Sequence, residues 1–282
     1  MYANGSFQSS QFIESSSGPA MKMFSNNTVK VGKMIELPAI IGATQNLFFT
    51  HTNTGPVPVP PGSVGDLLIL AATGSINTDI PTFPTGFTQI SANLDMTGAN
   101  NAHYNGYYTI FAIKTADGTE SGNFTISWNT YGGIAILCLR VAGVGSTLLA
   151  NTTNSNLSYF GGTTTIVNTT ITTPSNNNFI VAIGTWEYPG SNVNGVSMPS
   201  IFNQTMAIPT PNPSNGSPSN YYWVSGGVQP TAGTQTYPFT GNFPVVGDNF
   251  GGVALLAFPL SIPASTQKLY SNGAFVSSQF IE

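Results

Sequence analysis

Residues 65–73 read GDLLILAAT, and residues 177–185 read NNFIVAIGT. Both stretches are short apolar runs that begin after an acidic or amide residue and end at threonine, and they lie 177 − 65 = 112 residues apart. Apolar runs of this length, bounded by turn-forming residues, predict buried β-strands. The pair therefore indicates that one β-rich segment occurs twice in the chain.

Three further matches follow in the same order and at similar spacing, which is the pattern of an internal repeat. They pair Tyr107-Tyr108 with Tyr221-Tyr222, residues 116–119 with 231–234, and residues 132–137 with 251–256. We predict two related halves, residues 57–144 and 174–260, each supplying about four strands. Together they would make an antiparallel, jelly-roll-like β-sandwich of two sheets packed face to face.

The composition agrees with an all-β chain. Only 6% of the residues are charged, against about 25% in ordinary domains. Gly 31 and Pro 20 supply turns, and no stretch has a sustained helical period of apolar residues. A net charge of −4 with six basic residues argues against nucleic-acid binding, which needs Lys and Arg to neutralise phosphates.

The ends of the chain carry versions of one segment. Residues 1–14 read MYANGSFQSSQFIE, residues 269–282 read LYSNGAFVSSQFIE, and a weaker copy at residues 23–36 reads MFSNNTVKVGKMIE. Asn-Gly is a strong signal for the type I′ turn of a β-hairpin. The turn residues and their flanking aromatic pairs are Tyr2, Asn4, Gly5, Phe7, Phe24, Asn26, Tyr270, Asn272, Gly273 and Phe275, with Val29 opposite Phe24.

This arrangement predicts attachment modules around a central body. Residues 1–40 would hold two hairpins and the linker Ser15–Pro19, residues 41–264 the duplicated sandwich, and residues 265–282 the last hairpin. A lone hairpin is marginal in water, so each must dock on something. We expect assembly of the chain with copies of itself, preferably as a trimer, and with other particle proteins. The alternative is that the hairpins pad the edge of their own domain.

One segment also resembles a known family. The sequence Val59-Pro-Pro-Gly-Ser-Val-Gly-Asp-Leu-Leu-Ile-Leu70 is similar to the opening of a β-sandwich domain common in bacteriophage structural proteins. The resemblance continues through Pro84–Phe87, Tyr107–Lys114, Ser121–Trp128 and Gly132–Val141. It covers residues 57–144, with an echo in 174–260, although the family usually has tryptophan where Phe87 stands. The terminal segments resemble short motifs of phage tail, fibre and head-associated proteins. The resemblance implies a virion setting and no defined biochemical activity.

The expected location follows from what the sequence lacks. The N-terminus has no basic region followed by an apolar core, and no apolar run approaches the roughly 20 residues of a membrane-spanning helix. We therefore expect a protein made in a host cytoplasm without a signal peptide, not inserted in a membrane, and located in the virion.

Little in the sequence suggests catalysis. His51 and His103 have no Cys, Asp or Glu at metal-ligand spacing, and no nucleotide-binding fingerprint occurs. We expect no catalytic residue, metal or cofactor. Asp66, Asp117 and Asp248 stand beside Gly or Asn, where Asp makes turns. The single Cys138 lies in an apolar run and is expected to be a buried, inert thiol.

The triplet Trp186-Glu187-Tyr188 is the one place where an acidic residue is flanked by aromatics. Its rings could stack on a sugar while the carboxylate accepts hydroxyl hydrogens; the alternative is a plain strand end. Two functions follow from the sequence. The first is a non-enzymatic virion structural protein, as a fibre, tail or decoration component. The second is a module that binds a host glycan, with a polysaccharide depolymerase as the less favoured variant.

Overall fold

The computed structural model describes residues 11–15, 18–25, 28–33, 37–48, 53–75, 81–95, 107–128, 134–158, 164–188, 196–206, 208, 219–242, 249–261, 268–271 and 274–278. The chain divides into two compact units, one made of Met1–Leu37 with Ser261–Glu282 and the other of Pro38–Leu260. No helix occurs in the described ranges, so the all-β prediction is confirmed.

The described strands are β1 (Gln11–Ser15), β2 (Gly18–Ser25), β3 (Thr28–Lys33), β4 (Ala39–Phe48), β5 (Thr54–Pro58), β6 (Leu67–Ser75), β7 (Thr88–Asp95), β8 (Tyr107–Thr115), β9 (Asn123–Ser127), β10 (Ile134–Ala142), β11 (Ala150–Ser158), β12 (Thr164–Thr173), β13 (Asn178–Tyr188), β14 (Val196–Ser197), β15 (Gln204–Met206), β16 (Ser219–Gln229), β17 (Gly233–Asn242), β18 (Asn249–Pro259), β19 (Lys268–Ser271) and β20 (Ala274–Ser278). Every pairing among them is antiparallel.

The terminal unit contains two of the three hairpins that the repeats predict, the middle and the C-terminal one. β2 and β3 pair with Phe24 opposite Val29, and β19 and β20 pair with Tyr270 opposite Phe275. The predicted pair of Tyr2 with Phe7 lies outside the described residues, as do Asn4, Gly5, Asn26, Asn272 and Gly273. The predicted linker Ser15–Pro19 is wrong in part, because β1 and β2 pair through Ser15 and Gly18. The tail of the first repeat therefore forms a strand of the three-stranded sheet β1-β2-β3.

Residues Pro38–Leu260 form two sandwiches with the same strand order. In the first, the sheet β4-β10-β6-β8-β7 faces β5-β9; in the second, β11-β18-β13-β16-β15 faces β12-β17-β14. If the strands of each half are numbered 1 to 8 in chain order, the large sheet has the order 1-8-3-6-5 and the small sheet the order 2-7-4. In the first half, an isolated bridge between Thr82 and Ser127 takes the place of strand 4, which in the second half is β14 paired with β17. This is jelly-roll connectivity with the fifth strand added to the first sheet.

The duplication is therefore visible in the topology, since β6 and β13 are the central strands of equivalent sheets. Each half also begins one strand earlier than the sequence matches reach, at β4 and at β11. One match is out of register. Phe111 of β8 faces the central core, as do Tyr222 and Val224 of β16. The sequence match of Tyr107-Tyr108 with Tyr221-Tyr222 is therefore shifted by an odd number of residues from the structural equivalence of the two strands. In a strand that shift reverses the faces.

The predicted duplicated antiparallel β-sandwich is confirmed, and one detail differs: instead of one sandwich made by both halves, each half is a sandwich in itself and the two stack into four layers. The largest core lies between the two five-stranded sheets, and two smaller cores lie between each of these sheets and its outer partner. The central strands are therefore buried on both faces. This explains why their sequences are continuous apolar runs instead of alternating ones.

Equivalent faces of the two halves meet in the middle of the stack. The core between the two five-stranded sheets contains Leu67, Ile69 and Ala71 from β6 and Phe179, Val181 and Ile183 from β13. At the offset of 112 these are the same positions of the repeat. The two halves pack as the subunits of a twofold dimer do, through one self-complementary surface.

The small sheets carry matching protection at their edges. Pro56 and Pro58 remove backbone donors from β5, and its carbonyls accept hydrogen bonds from the side chains of Asn46, at 2.9 Å, and Thr44. In the second half, Nδ2 of Asn154 donates to the carbonyl of Asn168 in β12 at 2.5 Å. In each half, side chains of the first strand thus bond to the free edge of the second strand, β5 or β12. This blocks strand addition at that edge.

All strands of Pro38–Leu260 run between two ends of the stack. The chain enters at β4 and leaves after β18 at the same end, which we call the basal end, where Val144 and Leu260 form a bridge between the halves. The opposite end, the far end, holds the C-terminal end of β13 and the N-terminal ends of β8 and β16. Tyr222 of the second half reaches Thr73 and Ala135 of the first near this end, so the far ends of both halves coincide.

Candidate functional site

The sequence-predicted glycan triplet lies at the far end. Trp186, Glu187 and Tyr188 are the last residues of β13. In the ladder Trp186 pairs with Tyr221 on one side and with Gly251 on the other. Residues directly opposite each other in an antiparallel pair have Cβ atoms about 4.5–5.5 Å apart. The strand register therefore places two aromatic positions side by side at the end of the large sheet.

The first half brings its own tyrosines to the same end. Tyr107 and Tyr108 open β8, where Tyr108 pairs with Gly74 of β6 and with Asp95 of β7. The sequence duplication had linked Tyr107-Tyr108 to the tyrosines of β16, and the topology places both pairs at the far end.

Directly beneath these strand ends lies a buried polar network that joins the halves. Oγ1 of Thr73 lies 2.6 Å from Oγ1 of Thr109 and 2.5 Å from the Tyr222 hydroxyl, which also donates to the carbonyl of Ala135 at 3.1 Å. The backbone N–H of Tyr222 donates to Oε1 of Gln45 at 3.3 Å. Burial raises the pKa of Tyr222 well above its usual range, although the Thr73 hydrogen bond opposes the shift. Tyr222 is therefore neutral and acts as a structural crosslink.

Sequence reasoning missed this network. The available signal was the threonine that interrupts each apolar run, at Thr73 and Thr109, since a hydroxyl inside a buried strand needs a partner. Tyr222 itself is buried. The side chains of Tyr107, Tyr108 and Tyr221 lie outside the described residues.

The basal end is held by an ion pair. Nε of Arg140 lies 2.8 Å from Oδ2 of Asp66, and both side chains are buried. The other two guanidinium nitrogens of Arg140 donate to the carbonyls of Pro60 at 2.8 Å and Ser63 at 2.9 Å. Asp66 also accepts a hydrogen bond from the backbone of Ser63 at 2.6 Å. The assignment of Asp66 to a plain turn is therefore wrong, because its carboxylate anchors the Pro-rich loop to β10.

Gly62 lies against this ion pair. An added Cβ there would stand 2.3 Å from Nε of Arg140 and 2.5 Å from Oδ2 of Asp66. The Pro-Pro-Gly-Ser-Val-Gly-Asp segment thus has a structural explanation as the lid over a buried charge pair. The second half has a neutral version, in which the Nδ2 of Asn178 donates to the Ser175 carbonyl and Ser175 Oγ lies 3.0 Å from Oδ1 of Asn178.

A second charged cluster at the basal end is partly exposed, through Asp117, while the side chains of Lys114 and Glu120 are 14% and 1% exposed. Nζ of Lys114 lies 2.8 Å from Oε1 of Glu120 and 3.1 Å from Oδ2 of Asp117. Hydrogen bonds from Thr119 and then from Lys114 lower the pKa of Asp117. Burial acts to raise the pKa of Glu120, but hydrogen bonds from Lys114 and from the backbone outweigh it and lower that pKa. Asp117 is a turn residue, as the sequence predicts, and the cluster locks the β8–β9 turn.

The described residues offer no group of three or more His, Cys, Asp or Glu side chains that could hold a metal ion. Both His51 and His103 lie outside them, as does Asp248. Cys138 is buried, as the sequence predicts, and burial raises the pKa of its thiol to about 12. In the part of the chain that the structure describes, no helix is long and apolar enough to span a membrane.

Comparison of the chain with known proteins found no matching family model, no matching curated protein and no matching solved structure. The likeness to phage β-sandwich domains consequently rests on the quoted motifs. Of these, the opening segment is accounted for by the Arg140–Asp66 pair and the central strand of a four-layer stack.

Proposed function

We propose that this protein is a non-enzymatic structural component of a bacteriophage virion, a fibre, tail or decoration protein that assembles through its terminal hairpins. The observation that carries the proposal is the division of labour along the chain. The repeated segments at the two termini belong to one compact unit, and the duplicated sandwich forms another. The repeated terminal segments and the duplicated body are thus separate units in structure as well as in sequence.

The sandwich itself is built to avoid association through its small-sheet edges. Prolines in β5 and the side chains of Asn46 and Asn154 occupy the edge positions that would otherwise pair with another chain. We assign strand addition to the hairpin strands of the terminal unit. The partners would be further copies of this chain and other virion proteins, with a trimer as the preferred oligomer.

Purified particles from the parent phage test the proposal. Peptides of this chain should be present in a stoichiometric amount by quantitative mass spectrometry. A low-resolution map of particles labelled with an antibody against the sandwich should place the chain on the particle surface. Absence of the chain from purified particles, with presence only in the infected-cell lysate, would overturn the proposal.

A further inference from the structure

The small sheet of the second half, β12-β17-β14, has one capped edge and one open edge. On the β12 side, Nδ2 of Asn154 donates to the carbonyl of Asn168. On the other side, β14 pairs with β17 only at residues 240–241. Among the described residues, no strand pairs with residues 233–239 of β17 on that side. These residues therefore form an open sheet edge, which can accept a further strand.

The contact with Asn154 shows which backbone groups point out of this edge. Because the Asn168 carbonyl points to Asn154, away from β17, the pair of Asn168 with Pro238 exchanges no backbone hydrogen bonds. Such pairs alternate along an antiparallel ladder, so Thr234 and Thr236 also direct their N–H and C=O groups away from β12. Pro238 adds a carbonyl but has no N–H. The open edge thus presents two donors and three acceptors, from Thr234, Thr236 and Pro238.

The equivalent edge in the first half is a poorer acceptor. β9 is five residues long, and the backbone of its last residue, Ser127, is already bonded to Thr82. The turn before β9 also holds the ion pairs of Lys114. Charged groups beside an edge oppose strand addition, because pairing would take them out of water. β17 is ten residues long and contains no charged residue, so the second half offers the better edge.

The terminal unit contains a strand that matches this edge. Among the outer strands of the described terminal sheets, β1 contains Glu14, β3 contains Lys30 and Lys33, and β19 contains Lys268, whereas β20 has no charged residue. The sheet β19-β20 has two strands, and a two-stranded sheet is marginal in water until a third strand joins it. β20 is five residues long, the length of the edge from Thr234 to Pro238.

We propose that β20 of one copy adds to the open edge of β17 in a second copy, through the outward backbone groups of residues 234–238. This rests on the proposed function, because it names the acceptor for one of the terminal hairpins. Donor and acceptor are different surfaces of the same chain, so the interface is heterologous. Repeated addition then closes into a ring, and a trimer is the ring that we expect.

Amide hydrogen exchange tests the acceptor without changing it. The full chain is compared with a chain that lacks residues 269–282 and so lacks β20. The amides of Thr234 and Thr236 should exchange at least about tenfold more slowly in the full-length oligomer, because each gains a hydrogen-bond partner there. The amides of Thr170 and Thr172 on the capped side should exchange equally in both samples. Equal exchange at Thr234 and Thr236 would overturn the proposal.

Proline substitution tests the same edge by mutation. Thr236→Pro removes an outward donor and leaves the ladder between β17 and β12 in place. It should raise the dissociation constant of the oligomer by more than about tenfold. The matched control is Thr170→Pro, directly opposite, which loses the same 2.7 Å hydroxyl contact but places the proline on the capped side. Thr234→Pro repeats the test at the next outward residue.

Mixing shows that the two surfaces belong to different copies. The truncated chain keeps the acceptor and Thr236→Pro keeps the donor, so each alone should sediment as a monomer. Mixed, they should form a one-to-one complex that grows no further. A natural chain that is monomeric on its own, a Thr236→Pro chain that assembles as Thr170→Pro does, or a mixture that fails to pair would each overturn the proposal. The presence of the chain in purified particles is measured separately, so failure here leaves the proposed function standing.

Discussion

At the scale of single residues, Arg140 is the only arginine of the chain, and all three of its guanidinium nitrogens have partners in the buried basal loop. Asp66→Ala would leave that cation buried without its carboxylate. We expect a loss of about 3–5 kcal/mol in the free energy of unfolding, measured by denaturant titration. Asp117→Ala, in the exposed turn, is the control and should cost far less. Equal losses for the two variants would show that the ion pair has no special role.

The Lys114 cluster gives a prediction for pH dependence. The pKa values of Asp117 and Glu120 are lowered in the folded state, so their stabilisation is complete above their unfolded pKa values near 4 and is lost as the pH falls. The difference in stability between the natural protein and Lys114→Gln should therefore be present at neutral pH and shrink below about pH 4. Thermal melting across that range measures it, and a difference that grows on acidification would contradict the assignment.

At the scale of strands, the protected edges of β5 and β12 give a paired prediction. Asn46→Ala and Asn154→Ala each remove the donor to an edge carbonyl, at Pro56 and Asn168 respectively. Each should lower the free energy of unfolding by about 0.5–1.5 kcal/mol. Because the two sites lie in different halves, the losses should add in the double variant. Single variants as stable as the natural protein would mean that the edges are not held by these side chains.

Strands were the part of the fold that the sequence predicted best. Runs such as residues 67–72 and 179–184 are continuous and apolar because each strand is covered on both faces. The same continuity hid the register, since an alternating pattern would have shown which residues share a face. The match of Tyr107-Tyr108 with Tyr221-Tyr222 was therefore shifted by one residue. The four-layer arrangement was not predicted, because the continuous apolar runs were assigned to the centre of one two-sheet sandwich.

The candidate sites show a similar limit. A strand end at Trp186 was the alternative interpretation of its triplet. Its neighbour Tyr221 was not foreseen, because cross-strand pairing joins residues far apart in sequence. Asp66 looked like a turn residue from its neighbour Gly65. Its burial depends on Arg140, which lies 74 residues away and carries no local signal of the pairing.

At the scale of the whole molecule, the shared central core predicts that the two halves of the sandwich unfold together. Trp128 belongs to the core of the first half and Trp223 to that of the second. Variants that retain only one of these tryptophans, with phenylalanine at the other two positions, report on each half separately. Each variant should give the same denaturation midpoint by fluorescence as by far-UV circular dichroism. Two well-separated transitions would show that the halves are independent domains.

The central claim is that the terminal hairpins assemble the protein while the sandwich folds without them. Deletion of residues 269–282 tests it most directly, because this removes the hairpin β19–β20, which belongs to the terminal unit. Thermal melting and sedimentation velocity are measured on the truncated and the full chain. We expect an unchanged melting temperature together with loss of the oligomer or of incorporation into particles. Unchanged assembly, or a collapse of the melting temperature, would contradict the claim.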